Sequence, residues 1–236
     1  MLVGLVLPHA TDNPLLTVQA ALRAEAEGFD GVFMYDHLHP INQPEEPSLS
    51  PIPVLAAAAT ETSLRIGTLV LRVGPRPIDE VLASVRSLQS VSDGRFIAGL
   101  GVSDALGAMD LARYQVKVPP VEERRDQLAT CVDTLCAENI ECWIGSSHSW
   151  AQDIAVRTGC SLNLWRPKES LLAKLAALKI KLTWAGLAKD LTDDAVLDAL
   201  NARASWMVVD GSQQSPDGVD WPAMIAARQT VQKHAS

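Results

Sequence analysis

Two titratable side chains, those of Asp36 and His37, stand at the end of a short apolar segment of the chain. The segment Gly31–Tyr35 has the composition of a buried strand, and Pro40 prevents that strand from continuing. In parallel α/β proteins, the carboxyl ends of the strands carry the catalytic groups. A histidine beside a carboxylate at that position predicts proton exchange with a reacting molecule. The structural alternative is that Asp36 caps a turn and His37 makes a local hydrogen bond.

A second position suited to chemistry is the turn Gly145-Ser146-Ser147-His148, which follows a predicted strand and leads into a helix. Small residues at a helix N-terminus let backbone N–H groups approach a phosphate, so the turn predicts a phosphate site. Serine is also an ordinary N-cap residue, which leaves a purely structural interpretation open.

The elements that must position these residues alternate regularly along the chain, because each short apolar run is followed by a helical segment. The predicted strands are Leu2–Leu7, Gly31–Tyr35, Leu64–Leu71, Arg95–Gly101, Ile140–Gly145, Cys160–Trp165, Lys181–Ala185 and Ala204–Val209. This order predicts a single (βα)8 TIM barrel spanning residues 1–236. Two four-stranded sheets would produce the same order, but no Gly/Ser linker or charge block divides the halves of the chain.

Capping residues predict several helix boundaries. Asn13-Pro14 supplies an N-cap and a first-turn proline for the first helix, and Asp220 starts the last one. The predicted apolar face of the first helix is Leu15, Val18 and Leu22. After the second strand we expect an oversized polar loop, His39–Ser50.

Composition excludes several classes of protein. The net charge of −8 argues against binding to nucleic acid, because no basic stripe is available to neutralise phosphates. The apolar run Pro53–Ala59 is too short to span a bilayer, and Met1–Gly4 lacks the charged start of a signal peptide. We therefore expect a cytoplasmic protein that does not bind membranes.

The cysteines are expected to be structural. Cys131, Cys136, Cys142 and Cys160 lie close together in sequence, but they show no Cys-x-x-Cys spacing and no nearby pair of histidines. Metal ligation therefore lacks its usual sequence signature. Buried, reduced thiols are the better interpretation.

Several motifs occur in an order and at a spacing that fit the predicted barrel. They are Ala24-x-x-x-Gly28-Phe29-Asp30-Gly31 leading to Asp36-His37, Leu64-Arg65-Ile66-Gly67-Thr68-Leu69-Val70, Arg76-Pro77, and Ser92-Asp93-Gly94-Arg95-Phe96-Ile97-Ala98-Gly99-Leu100-Gly101. Together they resemble the bacterial luciferase-like superfamily. The Asp-His ending of the second strand is most similar to the branch that uses the deazaflavin coenzyme F420. The resemblance extends over residues 20–105, and more weakly over 121–165.

The resemblance implies a barrel that holds a flavin or deazaflavin across its C-terminal mouth. In that arrangement His37 lies by the reactive edge of the deazaflavin, and Asp36 contacts the ring system. The segment Thr68-Leu69-Val70 matches a bulge, commonly with a non-prolyl cis peptide bond, that backs the ring.

Further roles follow from the same resemblance. Asp104 matches an acid of related sugar-phosphate dehydrogenases, although a loop acid or helix N-cap is the alternative. The turn of residues 145–148 matches the phosphate-binding turn. Arg72 and Arg76 could meet the acidic tail of the coenzyme, but solvated arginines are an equal alternative.

The implied activity is F420-dependent hydride transfer to or from an unknown small organic substrate, in a homodimeric enzyme. An FMN-dependent monooxygenase, a degenerate non-catalytic flavin- or F420-binding barrel, and a cofactor-free lyase or isomerase are alternatives. Three departures leave the substrate open. Ile41 replaces an aromatic residue, the basic cluster for substrate phosphate has no equivalent, and Cys136–Asn139 runs into Ile140 without the family's hairpin insertion.

Overall fold

A parallel sheet closes on itself in the computed structural model, which describes residues 1–39, 48–103, 111–112, 115–192, 194–211 and 218–235. The strands are β1 (Leu2–Val6), β2 (Gly31–Met34), β3 (Arg65–Thr68), β4 (Leu71–Arg72), β5 (Phe96–Gly101), β6 (Glu141–Ile144), β7 (Ser161–Trp165), β8 (Lys181–Leu187) and β9 (Ala204–Asp210). Neighbours in the sheet follow chain order, and β1 also pairs with β9. The single (βα)8 barrel is therefore confirmed.

A helix follows each strand of the barrel and packs outside it. The helices are α1 (Pro14–Ala26), α2 (Pro51–Glu61), α3 (Ile78–Val91), α4 (Val121–Ala137), α5 (Ser149–Thr158), α6 (Glu169–Ala177), α7 (Asp194–Asn201) and α8 (Trp221–His234), and a short 3-10 helix spans Ala188–Thr192. The two predicted N-caps are confirmed, because Asn13 Oδ1 accepts from the N–H of Leu15 and Asp220 Oδ1 from that of Ala223. None of the described helices is long and apolar enough to cross a membrane.

The predicted apolar face of α1 is wrong. Leu15 is 67% exposed and Leu22 is 41% exposed. The helix instead buries a stripe of small side chains: Thr17, Ala20, Ala21 and Ala24. Small residues let α1 lie close to the sheet and to α2, and the Thr17 hydroxyl donates to the carbonyl of Pro8 at 2.9 Å.

The third barrel strand is interrupted, whereas the sequence predicts one strand over Leu64–Leu71. Both of its parts pair with β5, through Gly67 opposite Ile97 and Leu71 opposite Leu100. Four steps along the third strand thus match three steps along β5, which defines a bulge. The peptide bond between Leu69 and Val70 within it is cis, as the resemblance predicts.

Three aromatic rings fill the lower interior of the barrel. The rings of Phe33 and Trp143 are stacked with centroids 5.1 Å apart, and Trp206 meets them edge-on at 5.7 and 5.8 Å. Glycines on neighbouring strands make the room, because a Cβ at Gly4 or Gly67 would lie 2.5 or 2.6 Å from the Phe33 ring. The interior is a packed core, so ligands can reach the barrel axis only from the mouth.

The cysteines are all free thiols. Cys131, Cys142 and Cys160 are buried, as predicted, whereas Cys136 at the end of α4 is only partly buried. The prediction of a wholly buried set is therefore wrong for Cys136. The predicted polar loop His39–Ser50 falls largely on residues 40–47, which lie outside the described residues.

Candidate functional site

Asp36 follows β2 and is held by two arginines from the next unit of the barrel. Arg76 donates two hydrogen bonds to its carboxylate, from Nη1 at 2.5 Å and from Nη2 at 2.9 Å. The backbone N–H of Arg72 donates to Asp36 Oδ2 at 3.0 Å, and Arg72 Nε lies 3.6 Å from the same oxygen. The alternative in which Asp36 only caps a local turn is therefore wrong.

These contacts fix the charge of the group. Burial alone would raise the pKa of Asp36, but the hydrogen bonds and charges of Arg76 and Arg72 outweigh burial and lower it. Arg72 is only 4% exposed and Arg76 is half-buried, so the alternative of solvated arginines is wrong. Asp36 is an ionised anchor that ties the end of β2 to β4 and to the start of α3.

His37 lies at the mouth of the barrel and is partly exposed. Its ring meets that of Tyr35 edge-on, with centroids 6.0 Å apart. Tyr35 directly follows β2 and continues its alternation, so it faces inward like Phe33. Its ring covers the aromatic interior and forms the floor of the mouth.

Sequence reasoning missed a polar group around this floor. The Tyr35 hydroxyl donates to Asp210 Oδ2 at 2.8 Å, and the ring of His9 lies edge-on to Tyr35 at 5.1 Å. Asp210 ends β9 and is 2% exposed, while His9 follows β1 and is 5% exposed. Asp210, like Asp36, is a carboxylate that directly follows an apolar run. The same sequence pattern could therefore have identified Asp210 as a candidate.

The protonation of this group is set by its burial. Burial, and then the neighbouring Asp210 carboxylate, raise the pKa of Tyr35 well above its usual value, so the phenol remains a hydrogen-bond donor. Burial lowers the pKa of His9 to about 4, with a further lowering from His37 and an opposing effect of Asp210. His9 is therefore a neutral imidazole at neutral pH.

The bulge of the third strand lies beside the Asp-His ending, since the N–H of Leu69 donates to the carbonyl of Met34 at 2.8 Å. Val70 packs over two glycines, because a Cβ at Gly101 or Gly145 would lie 2.5 or 2.7 Å from its methyl groups. Thr68 is fully buried, and its hydroxyl donates to the carbonyl of Gly99 at 2.8 Å. Thr68 thus belongs to the barrel wall, whereas Leu69 and Val70 approach the mouth.

The turn of residues 145–148 joins β6 to α5 next to Val70 and is largely exposed. Three of its N–H groups donate within the protein: Gly145 to Leu100 O, Ser146 to Ile144 O, and His148 to Ser146 Oγ. These three amides already have acceptors, so an anion at this turn would bind mainly through the serine hydroxyls.

Asp104 lies outside the described residues, so its predicted role remains a prediction.

Comparisons with known proteins agree with this geometry. The family described as luciferase-like monooxygenase matches residues 5–137. An F420-dependent glucose-6-phosphate dehydrogenase of Microbacterium testaceum (strain StLB037) is 30% identical over 131 residues, which cover 53% of this chain and 38% of that protein. One from Nakamurella multipartita is 31% identical over 135 residues, covering 56% and 38%. The matches thus span well under half the length of these curated relatives.

Solved structures share the fold at low identity. An F420-dependent secondary alcohol dehydrogenase in complex with an F420-acetone adduct has a TM-score of 0.66 at 16% identity, covering 98% of this chain and 83% of the other. The F420-dependent tetrahydromethanopterin reductase of Methanopyrus kandleri has a TM-score of 0.69 at 14% identity, covering 99% of each chain. A monooxygenase from Streptomyces bottropensis reaches 0.71 at 12% identity, covering 99% and 98%.

At these identities the structural likeness establishes the fold alone. The family match is stronger, because it covers more than half of the chain and includes the Asp36-His37 ending and the bulge at Leu69-Val70. On that basis the chain belongs to the luciferase-like monooxygenase family.

Proposed function

We propose that this protein is a coenzyme F420-dependent oxidoreductase that transfers a hydride between the deazaflavin and a small organic substrate. The observation that carries the proposal is the position of His37 at the mouth, over the Tyr35 floor and beside the Leu69–Val70 bulge. The two curated relatives, both F420-dependent dehydrogenases, support the deazaflavin over other cofactors.

The residues present fit a flat ring with a phosphate-bearing tail. Gly101 and Gly145 let Val70 lie close against the wall, and its half-buried apolar side chain is available at the bulge for a ring to contact. Ser146, Ser147 and the start of α5 would meet the phosphate. When bound, the deazaflavin supplies the hydride donor or acceptor.

The chain's own residues would then handle position and protons. His37 gives or takes the proton that accompanies hydride transfer, with Asp104 as the predicted second acid. Asp36 acts through Arg72 and Arg76 to fix the end of β2, and therefore the place of the imidazole. The sealed interior below Tyr35 restricts water to the mouth.

Titration of the purified protein with F420 and with FMN tests the cofactor, and His37→Ala tests the proton transfer. We expect tighter binding of F420. His37→Ala should leave F420 affinity nearly unchanged but lower turnover by about two to four orders of magnitude, the usual effect of a positioned acid–base group. His234→Ala, near the end of α8, is the matched control and should behave as wild type.

Other outcomes favour the alternatives. Tighter binding of FMN would favour an FMN-dependent monooxygenase, a function that the description of the family also suggests. F420 binding without turnover of any substrate would favour a degenerate binder. A His37→Ala protein with wild-type turnover would contradict the role of His37. The cytoplasmic location and the homodimer remain predictions.

A further inference from the structure

The mouth of the barrel divides into two arcs. The residues proposed to hold the cofactor lie on the arc from β2 to β6, which includes His37, the Leu69–Val70 bulge and the turn at 145–148. The opposite arc consists of β7, β8, β9 and the segment after β1. Three of its side chains are not used by the proposed cofactor site: Trp165, which is exposed, and Asp210 and His9, which are buried beside Tyr35.

Trp165 is unusual for its exposure. It ends β7 with 48% of its surface exposed, and it is the only aromatic residue among the large exposed apolar side chains in the part of the chain that the structure describes. β7 is the sixth strand of the ring and lies opposite β2, yet the Trp165 and Tyr35 centroids are only 6.4 Å apart. An indole exposed inside a functional mouth offers a flat surface for a ligand.

Asp210 sets the charge of this arc. Among the buried side chains described on β7, β8 and β9, it is the only one with a formal charge. Its Oδ2 accepts from the Tyr35 hydroxyl, which places the carboxylate at the floor. The nearby cation Arg166 already pairs with Asp190 at 2.8 Å. A phosphate entering here would be repelled by a buried negative charge, whereas an uncharged hydroxyl group would not be.

Tyr35 connects the two arcs, because its ring centroid lies 6.0 Å from that of His37 and 6.4 Å from that of Trp165. A small molecule resting on Tyr35 therefore reaches the proposed proton-exchange group and the indole together. Trp165, Tyr35 and Asp210 come from alternate strands of the ring, as the side chains of one layer in this fold do.

We propose that Trp165, Tyr35, Asp210 and His9 form the substrate subsite, and that it takes an uncharged alcohol or carbonyl compound with a flat or apolar face instead of a phosphorylated one. The proposal rests on the function proposed above. In the oxidative direction the substrate C–H and O–H bonds break and a C=O bond forms. With the deazaflavin bound, the hydride would go to that cofactor and the proton to His37, and reduction of the carbonyl compound would reverse both transfers.

The test uses a matched pair of probes, para-hydroxybenzyl alcohol and its phenolic phosphate ester. Calorimetric titration of the protein, with and without F420, should show at least roughly 10-fold tighter binding of the uncharged alcohol. Asp210→Asn keeps an acceptor for Tyr35 but removes the charge, so the preference should shrink to about threefold or less.

A second variant does not disturb the core. Trp165→Leu should weaken binding of the alcohol roughly 10-fold, and raise KM with little change in kcat, while F420 affinity stays within about twofold of wild type. Leu178→Ala, a large exposed apolar residue beyond the end of α6, is the control and should change neither constant.

The outcomes separate this subsite from the cofactor assignment. Alcohol binding that depends on Trp165 and Asp210 in a protein without affinity for F420 would sustain the subsite and reject the proposed function. Equal or tighter binding of the phosphate ester, a preference unchanged in Asp210→Asn, or F420 binding with no alcohol binding would overturn the subsite.

Discussion

His9 makes the stability of the barrel depend on pH. Its pKa is about 4 in the folded protein and 6.5 in an unfolded chain, because burial disfavours the imidazolium. The unfolded chain therefore binds the proton first as pH falls. The contribution of neutral His9 to stability is complete above about pH 6.5 and is lost as pH falls towards 4.

Because His9 takes up a proton more readily in the unfolded chain, we expect the free energy of unfolding to fall by roughly 2 kcal/mol between about pH 7 and pH 5. Urea denaturation at the two pH values measures it. His9→Gln cannot titrate and should lose most of this dependence, while the exposed His148→Gln should keep it. An identical slope in wild type and His9→Gln would refute the role of His9.

Single residues could be predicted from the sequence only where the signal was local. Asp36 and His37 stood out because charge followed an apolar strand, but the partners of Asp36 are 36 and 40 positions away in sequence. The pairing of Tyr35 with Asp210 joins residues 175 positions apart. Pairing of β2 with β3 brings Asp36 to its arginines, and closure of the barrel through β1 and β9 brings Tyr35 to Asp210. No pattern within a single segment could reveal either contact.

At the scale of elements, the bulge of the third strand depends on glycine at its neighbours. A Cβ at Gly101 would lie 2.5 Å from Val70 Cγ2, and the other close atom also belongs to Val70. Gly101→Ala should therefore destabilise the protein by about 1–3 kcal/mol through overpacking, and weaken F420 binding.

The double variant Gly101→Ala/Val70→Ala provides the control, because removing the Val70 methyl groups restores the space. Thermal unfolding of the four proteins in this cycle should give a coupling of at least about 1 kcal/mol. If the two substitutions change the free energy of unfolding additively, Val70 is not the residue that limits the space at position 101.

The order of helices and strands could be predicted from capping residues and apolar runs, but the buried face of a helix could not always be predicted. α1 carries leucines at helical spacing, yet it buries Thr17, Ala20 and Ala24 because close packing to neighbouring elements requires small side chains. Hydrophobicity alone predicts that the larger apolar residues are buried, so the periodicity of the leucines predicted the wrong buried face of α1. The break between Thr68 and Leu71 is likewise not visible in the apolar pattern of Leu64–Leu71, and only the family resemblance predicted it.

At the scale of the whole molecule, we predict a homodimer. The family resemblance suggests it, and the large apolar side chains that α1 exposes, Leu15, Leu16 and Leu22, are consistent with a surface that a partner covers. Sedimentation equilibrium at micromolar concentration should give about twice the chain mass of 25.4 kDa. A single species at the chain mass across the dilution series would contradict the prediction.

The fold was predictable as a whole because alternation leaves few arrangements for eight strand–helix units without a linker. The order of elements left open whether the strands form one closed barrel or two four-stranded sheets. This question is decided by the pairing of β1 with β9, whose five residue pairs run from Leu2 opposite Trp206 to Val6 opposite Asp210.

The aromatic interior also gives the protein an optical signature. Two indoles with centroids 5.8 Å apart and planes at 61°, beside a phenyl ring, are chromophores held in one chiral arrangement. Near-ultraviolet circular dichroism should report their fixed geometry, whereas a collapsed state that keeps its helices but loses side-chain order would lose the signal. These rings are therefore an intrinsic spectroscopic probe of interior packing, which lies beneath the Tyr35 floor and can be read before any ligand is added.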